Sequence, residues 1–238
     1  MEEIFCFVDE MLPRNLIKVT EQTIHDAGVI YHNTPAIFAG SEPIKGVSGS
    51  FFTKAGTVVR NNEFGIQRNA DQILSEVQKN LFKRGRRIIF ITVDDLTCNC
   101  QGNFLNFCFG EARGFSVVIS MTRFRSLPPK EQEIILAGLI MHELGHLYDV
   151  AGDKSRAKTQ DKLGMHCTDK VCVMQQGMSM EEIRENFLFV EKLTRHVGDV
   201  KLKYYCPLCM KDVHKYFEPK KESTPNSLPP LPPRRKAG

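Results

Sequence analysis

Met141-His142-Glu143-Leu144-Gly145-His146-Leu147-Tyr148 places two histidines four residues apart with a glutamate between them. On an α-helix, positions four apart are separated by only about 40° around the axis, so both imidazoles reach toward one point. Two neutral ring nitrogens converging in this way are the usual means of holding a zinc ion. Glu143 lies beside them, where it can take a proton from a metal-activated water. Five-residue patterns also arise by chance, and the plain alternative is a helix with two surface histidines.

The residues before this run favour the metal. Pro128-Pro129 marks a helix start, and Glu131 and Glu133 put negative charge in the first turn, where the helix dipole stabilises it. Ile135, the adjacent pair Leu139 and Ile140, Leu144 and Leu147 follow at intervals of three to four residues, predicting an amphipathic helix with one face on a core.

A catalytic zinc needs three protein ligands and an open fourth position. Downstream the chain reads Gly164-Met165-His166-Cys167 and then Cys172-Val173-Met174, with Cys206-Pro207-Leu208-Cys209 further on. With these pieces in order, the sequence resembles the archaemetzincins, a family of metzincin-type zinc metallopeptidases with the pattern H-E-x-x-H-x-x-G-x-x-H-C-x4-C-x-M and a later C-x-x-C. The resemblance implies that His142, His146 and His166 hold a catalytic zinc, with Glu143 as general base. It implies that Met174 forms the turn beneath the metal and that Cys167, Cys172, Cys206 and Cys209 hold a structural zinc. Asp95-Leu96, Leu105-Asn106-Phe107, Phe109-Gly110-Glu111-Ala112, Ser120 and Arg123 look like the strand region preceding the metal helix in this family, so the likeness spans residues 86–214. The expected function is hydrolysis of peptide bonds in a peptide or protein substrate.

The chain departs from the pattern in two places. Nineteen residues, Leu147 to Met165, stand where the family has five, and the family glycine three residues after the second histidine is Asp149. The extra stretch, Gly152 to Lys162, is charged and is expected to form a surface loop. Loop-closure entropy grows only logarithmically with length, so a distant ligand can still return. Asp149 and Asp153 are the alternatives to His166 as third ligand, as is Glu181 or Glu182 on a helix expected from Met180 to Arg195. A different reading altogether is a non-catalytic zinc-stabilised binding module whose insertion occludes the cleft.

The four cysteines also point to metal by spacing alone. Cys167-x4-Cys172 and Cys206-x2-Cys209 are two close pairs, the common form of a tetrahedral thiolate site, with two disulfides or inert thiols as the alternatives. Met1-Glu2-Glu3 is acidic and the apolar run Ile4 to Val8 is too short for an export signal, so a cytoplasmic protein with reduced thiols is expected. Cys6 and Cys108 lie in apolar runs and are expected in the core. Cys98-Asn99-Cys100 fits a zinc knuckle poorly and is expected to be structural, a metal or redox site with Cys108 being the alternative.

With 42% hydrophobic and 25% charged residues in 238, the chain can bury one substantial core. No apolar stretch reaches the length of a membrane span, and the net charge of +4 includes no patch that points to nucleic acid. The fold class expected is α/β (α+β): a metzincin-like single domain with a twisted mixed sheet, a backing helix, an active-site helix and an irregular, zinc-stapled C-terminal part. Strands are expected at Ile4–Val8, Arg87–Val93, Phe104–Phe109 and Phe115–Met121, helices at Leu16–Ala27 and Ala70–Phe82, and a long loop region over residues 31–57. The metallopeptidase domain is expected over residues 1–215, with subdomains 1–150 and 151–215. Residues 216–238 read as a disordered, proline-rich basic tail. Within it Pro229-x-x-Pro232-x-Arg234 matches the peptides that SH3 domains bind, a pattern that also arises freely in such tails. A monomer is expected.

Overall fold

The strand Arg86–Thr92, buried on both faces from Ile88 to Thr92, organises the molecule into layers. The computed structural model describes residues 3–9, 11–32, 58–61, 65–81, 86–100, 103–151, 157–159 and 165–217. In chain order the N-terminal elements are β1 (Glu3–Val8), α1 (Arg14–His32), β2 (Val58–Asn61), β3 (Gly65–Asn69), α2 (Ala70–Leu81) and β4 (Arg86–Thr92). Then come β5 (Leu96–Cys100), β6 (Asn103–Cys108), β7 (Gly110–Arg113), β8 (Ser116–Ser120), a 3₁₀ turn (Thr122–Phe124) and α3 (Pro129–Leu147). The C-terminal part holds β9 (Ala157–Thr159), β10 (Met165–Cys167), α4 (Met180–Thr194), α5 (Lys201–Tyr204) and α6 (Pro207–Phe217).

The main sheet has the order β1-β4-β8-β7, parallel except for the antiparallel edge strand β7. Because side chains alternate along a strand, β4 serves two cores. Ile89 and Ile91 join Ile4, Cys6, Val117 and Ile119 in the core shared with α1 and α3. Ile88, Phe90 and Val118 face the other way, against Ala70, Ile73, Leu74 and Val77 of α2. A second sheet, β2-β3-β5-β6, closes that smaller core with Leu96, Cys98 and Cys108. The result is a mixed α/β fold with mixed sheets and a cysteine cluster in its C-terminal part. The larger core runs from Ile4 to Val213, so both halves of the chain contribute to one body.

The strands expected from apolar runs are found within a residue or two of their expected ends, and six further strands are not among those expected. Strands β2, β3 and β7 carry Asn, Arg, Gln, Glu and Gly in place of an alternating apolar pattern, β5 alternates Leu and Cys with Thr and Asn over only five residues, and β2 and β7 lie at sheet edges, where burial selects sequence weakly. Helix α1 extends to His32, past the expected end at Ala27, and residues 33–57 of the expected loop region lie outside the described residues. Part of the insertion is strand rather than loop, since Ala157–Thr159 pairs antiparallel with Met165–Cys167; residues 152–156 and 160–164 lie outside the described residues. Helix α6 ends at Phe217, and the proline-rich segment 218–238, with its SH3-type pattern, is likewise outside them.

Helix α3 differs from its expected form. It begins at Pro129, as Pro128-Pro129 implies, but it is not a surface helix with one apolar stripe. Ile135, Leu136 and every residue from Gly138 to Gly145 are buried, because α1, the main sheet and α4 enclose it. The polar letters that make the sequence look amphipathic, His142 and Glu143, are themselves inside. Among the described residues no helix is long and apolar enough to cross a membrane.

Candidate metal centres

Three histidine rings meet at the C-terminal end of α3. His142 and His146 come from successive turns of the helix, and His166 from β10; one ring nitrogen from each lies within 4.8 Å of the others. His142 Nδ1 is bonded at 2.6 Å to the carbonyl oxygen of Val173, which assigns the proton to Nδ1 and leaves Nε2 facing His146 Nε2 at 3.1 Å. Four ligands around zinc at ordinary Zn–N lengths are separated by about 3.3 Å, so this spacing fits an ion between them. Burial pushes His142 below the usual imidazole range despite the Val173 bond, and pushes His146 well below it, with His142 and His166 adding to the shift. Neutral imidazole is the form that binds a metal.

Glu143 points from the same helix turn toward the edge strand β7. It is buried, and its carboxyl group lies so close to Gly110 that a Cβ there would meet Glu143 Cδ at 2.8 Å and Cγ at 2.9 Å. Desolvation, and then the carboxylate of Glu111, push Glu143 up to about 8. A metal ion held by the neighbouring histidines would oppose both effects. Gly145 meets a similar demand on the helix's other side, since a Cβ there would collide with the sulfur of Met174 and stand 3.1 Å from its methyl carbon. The residue between Leu144 and His146 is therefore small because Met174 packs directly beneath the helix.

Just behind His166, Cys167, Cys172, Cys206 and Cys209 bring their sulfurs within 4.8 Å of one another, all buried. The Cys167 and Cys206 sulfurs are 3.7 Å apart. A tetrahedron of thiolates at ordinary Zn–S length has edges of about 3.8 Å, so this group also fits an ion, and no disulfide joins it. Hydrogen bonds from Cys172, Cys206 and Cys209 drive the Cys167 thiol far below its ordinary value, while Cys172, bonded to the same sulfurs, is pushed well up. Such a set holds a thiolate by sharing protons that a metal would replace.

The alternatives to His166 are elsewhere. Among the described residues, Asp149, Glu181 and Glu182 are not in the histidine group; Glu182 accepts from the Met178 amide at 2.7 Å in the first turn of α4. Asp153 lies outside the described residues. Asp149 adopts φ 53° just past the helix, a left-handed turn that glycine fills freely and Asp tolerates better than most residues, which accounts for Asp where the pattern has Gly. Cys98 and Cys108 are free thiols buried in the smaller core and hydrogen-bonded to each other, while Cys6 is in the larger one.

Sequence reasoning missed the groups that hold these side chains in place. The Val173 carbonyl is a backbone atom with no sequence signature. Tyr205 donates from its hydroxyl to the Met141 carbonyl at 2.5 Å, across 64 residues, and nothing local announces it. Gly110 and Glu111 were within the quoted strand region, and their approach to Glu143 is visible only once β7 is placed beside α3.

No protein-family profile and no curated protein matches the sequence. Solved structures do match. The chain is similar to the archaemetzincin of Methanopyrus kandleri at 20% identity and a TM-score of 0.56, over 90% of this chain and 95% of that one. It is also similar to the archaemetzincin of Archaeoglobus fulgidus, crystallised with malonate, at 18% identity and a TM-score of 0.48, over 88% of this chain and 99% of that one. The chain has an archaemetzincin-like fold.

Proposed function

We propose that this chain is a zinc-dependent metallopeptidase that hydrolyses peptide bonds, with His142, His146 and His166 holding the catalytic ion and Cys167, Cys172, Cys206 and Cys209 a structural one. The carrying observation is the convergence of three histidines, His142 and His166 buried and His146 half-buried, beside a buried glutamate that is not among the converging groups. Three histidines leave a fourth position open, whereas four cysteines close theirs. Zinc in the open site supplies Lewis acidity toward a carbonyl oxygen and lowers the pKa of water toward neutrality.

The chain's own residues have the following tasks. Val173 fixes the His142 ring so that Nε2, not Nδ1, is presented. Met174 and Gly145 seat the helix end that carries His146. Glu143 takes the proton of the attacking water on its carboxylate and returns it to the leaving amine, which suits a group whose affinity for a proton is raised by burial. Its wall against Gly110 holds the carboxylate to one direction, and a positioned base of this kind contributes about 10²–10⁴-fold. Residues 1–215 form one peptidase unit on this reading, with a peptide or protein as substrate.

Elemental analysis of protein purified without added metal should give close to two zinc ions per chain, and peptide hydrolysis should fall by about 10²–10⁴-fold in Glu143→Ala with both ions retained. Two ions with no turnover against broad peptide libraries would favour the non-catalytic module. Loss of zinc in Glu143→Ala would make that residue a ligand and end the proposed mechanism.

A further inference from the structure

Residues 166–174 serve both donor groups at once. His166 directly precedes Cys167, and Cys172 directly precedes Val173, the carbonyl partner of His142, and Met174, which lies beneath Gly145. The segment closes on itself through the Cys167 amide, which donates to the Met174 carbonyl at 2.9 Å, and it is tied to the C-terminal part by the Val173 amide on the Tyr204 carbonyl at 2.9 Å. A second connection starts next to Cys206. Tyr205, 1% exposed, donates to the carbonyl of Met141, the residue before His142. Its hydroxyl also bonds that of Tyr31, whose ring stacks at 4.2 Å on Tyr148, two residues past His146. The helix turn that carries two histidines is thus held from both sides by neighbours of the cysteines.

Resting on the reading that both groups hold zinc, we propose that the two centres are energetically coupled through Val173 and Tyr205 acting as positioning residues, so that filling the cysteine centre tightens the histidine centre. With the thiols ligated, the loop 167–172 and the start of α6 are fixed, which fixes His166, the ring of His142 and the carbonyl of Met141. The cost of ordering those groups is then met before the second ion arrives. Linkage makes the effect reciprocal, so an ion on the histidines must tighten the cysteine centre by the same factor. The four thiolates, with the greater donor charge, fill first.

Zinc-competition titrations on the full chain test this. His146→Ala leaves the cysteine centre alone to be measured, and Cys206→Ser leaves the histidine centre. The overall two-zinc constant of the wild type should exceed the product of those two constants by about tenfold or more, within the usual range of coupling between sites. Tyr205→Phe keeps all seven ligands. It should lower the overall constant, yet leave the single zinc of His146→Ala bound as tightly in the combined variant. A wild-type constant equal to the product, or unaltered by Tyr205→Phe, overturns the coupling. If Cys206→Ser fails to fold by circular dichroism, the Tyr205→Phe comparison decides alone. Wild-type protein that binds fewer than two ions removes the two-zinc reading, and the coupling with it, and the stoichiometry distinguishes that failure from two ions bound independently.

Discussion

The histidine and cysteine groups are adjacent in the chain at His166 and Cys167, yet they are assembled by different means. Two of the histidines are fixed by the geometry of one buried helix, and only His166 must be brought in. The cysteines come from two short turns, 167–172 and 206–209, with no long element carrying more than one turn's ligands. A helix persists without its ion, because its hydrogen bonds are internal and its sides are packed against α1, α4 and the main sheet. Two turns joined by their sulfurs and by the backbone bond from Val173 to Tyr204 lean on what binds them. The difference teaches that the histidine group suits an exchangeable, reactive site and the cysteine group a structural staple.

The test that presses hardest on this contrast is loss of metal from each group in turn. Cys209→Ser should lower the melting temperature by about 10 °C or more, since thiolate zinc sites contribute heavily to the folding of the segments they join. His142→Ala should lower it much less, because a helix already buried on most sides keeps its packing. Thermal melts followed by circular dichroism, with zinc content measured alongside, check both. Equal losses would mean that the histidine centre is as much a staple as the other.

The same contrast explains what could be read from the sequence. Ligands at short, regular spacing were legible: His142 and His146 because four residues make one helix turn, the cysteines because two close pairs are a metal pattern on their own. Strands β4 and β8 were legible because both of their faces are buried, which demands a run of apolar residues, and β1 because Ile4 and Cys6 are buried while Phe5 and Phe7 are half-buried. Strands β2, β3 and β7 were not, because their sequences lack an apolar alternation, and β5, whose Leu96 and Cys98 are buried, is only five residues long. The placing of Glu143 against Gly110 depends on β7 and α3, some thirty residues apart, coming together. Its tight environment follows from packing, not from spacing.

Protonation of Glu143 gives a second way to separate the groups. Its pKa rises from an ordinary 4.5 to about 8 in the metal-free fold, so the folded state holds a proton that the unfolded state releases between those values. Stability from this group is therefore complete below about pH 4.5 and lost as the pH rises through about 8. Metal-free Glu143→Gln should match metal-free wild type at pH 4.5 and be more stable at pH 8.5, by on the order of a few kcal/mol. Urea unfolding at the two pH values measures it. No difference at pH 8.5 would mean that Glu143 is solvated, contrary to its burial.

Gly110→Ala should act more narrowly. The added methyl would overlap the Glu143 side chain and not its backbone, so the carboxylate must swing aside while the strand stays. Displacing a catalytic group by about 1 Å can cost as much as 10²-fold, and overpacking in a core costs about 1–3 kcal/mol. Hydrolysis by the variant should drop at least about tenfold with zinc content unchanged and KM little altered. A variant with normal kcat would show that Gly110 does not set the direction of Glu143.

The smallest effect is expected at Asp149, where the chain leaves helix α3. Its φ of 53° lies in the left-handed region, which costs most L-residues about 1–2 kcal/mol and Asp less. Asp149→Gly removes that strain but adds freedom to the unfolded chain, so the two effects nearly cancel and stability should stay within about 0.5 kcal/mol. Asp149→Val meets the full penalty, because a β-branched side chain fits this conformation poorly, and should destabilise by about 1–2 kcal/mol. Neither should reduce zinc content, since Asp149 is not in the histidine group and His146 is held by the helix before it. Urea unfolding with zinc analysis distinguishes the cases. Loss of the catalytic ion in Asp149→Gly would restore the aspartate as a ligand and displace His166 from that place.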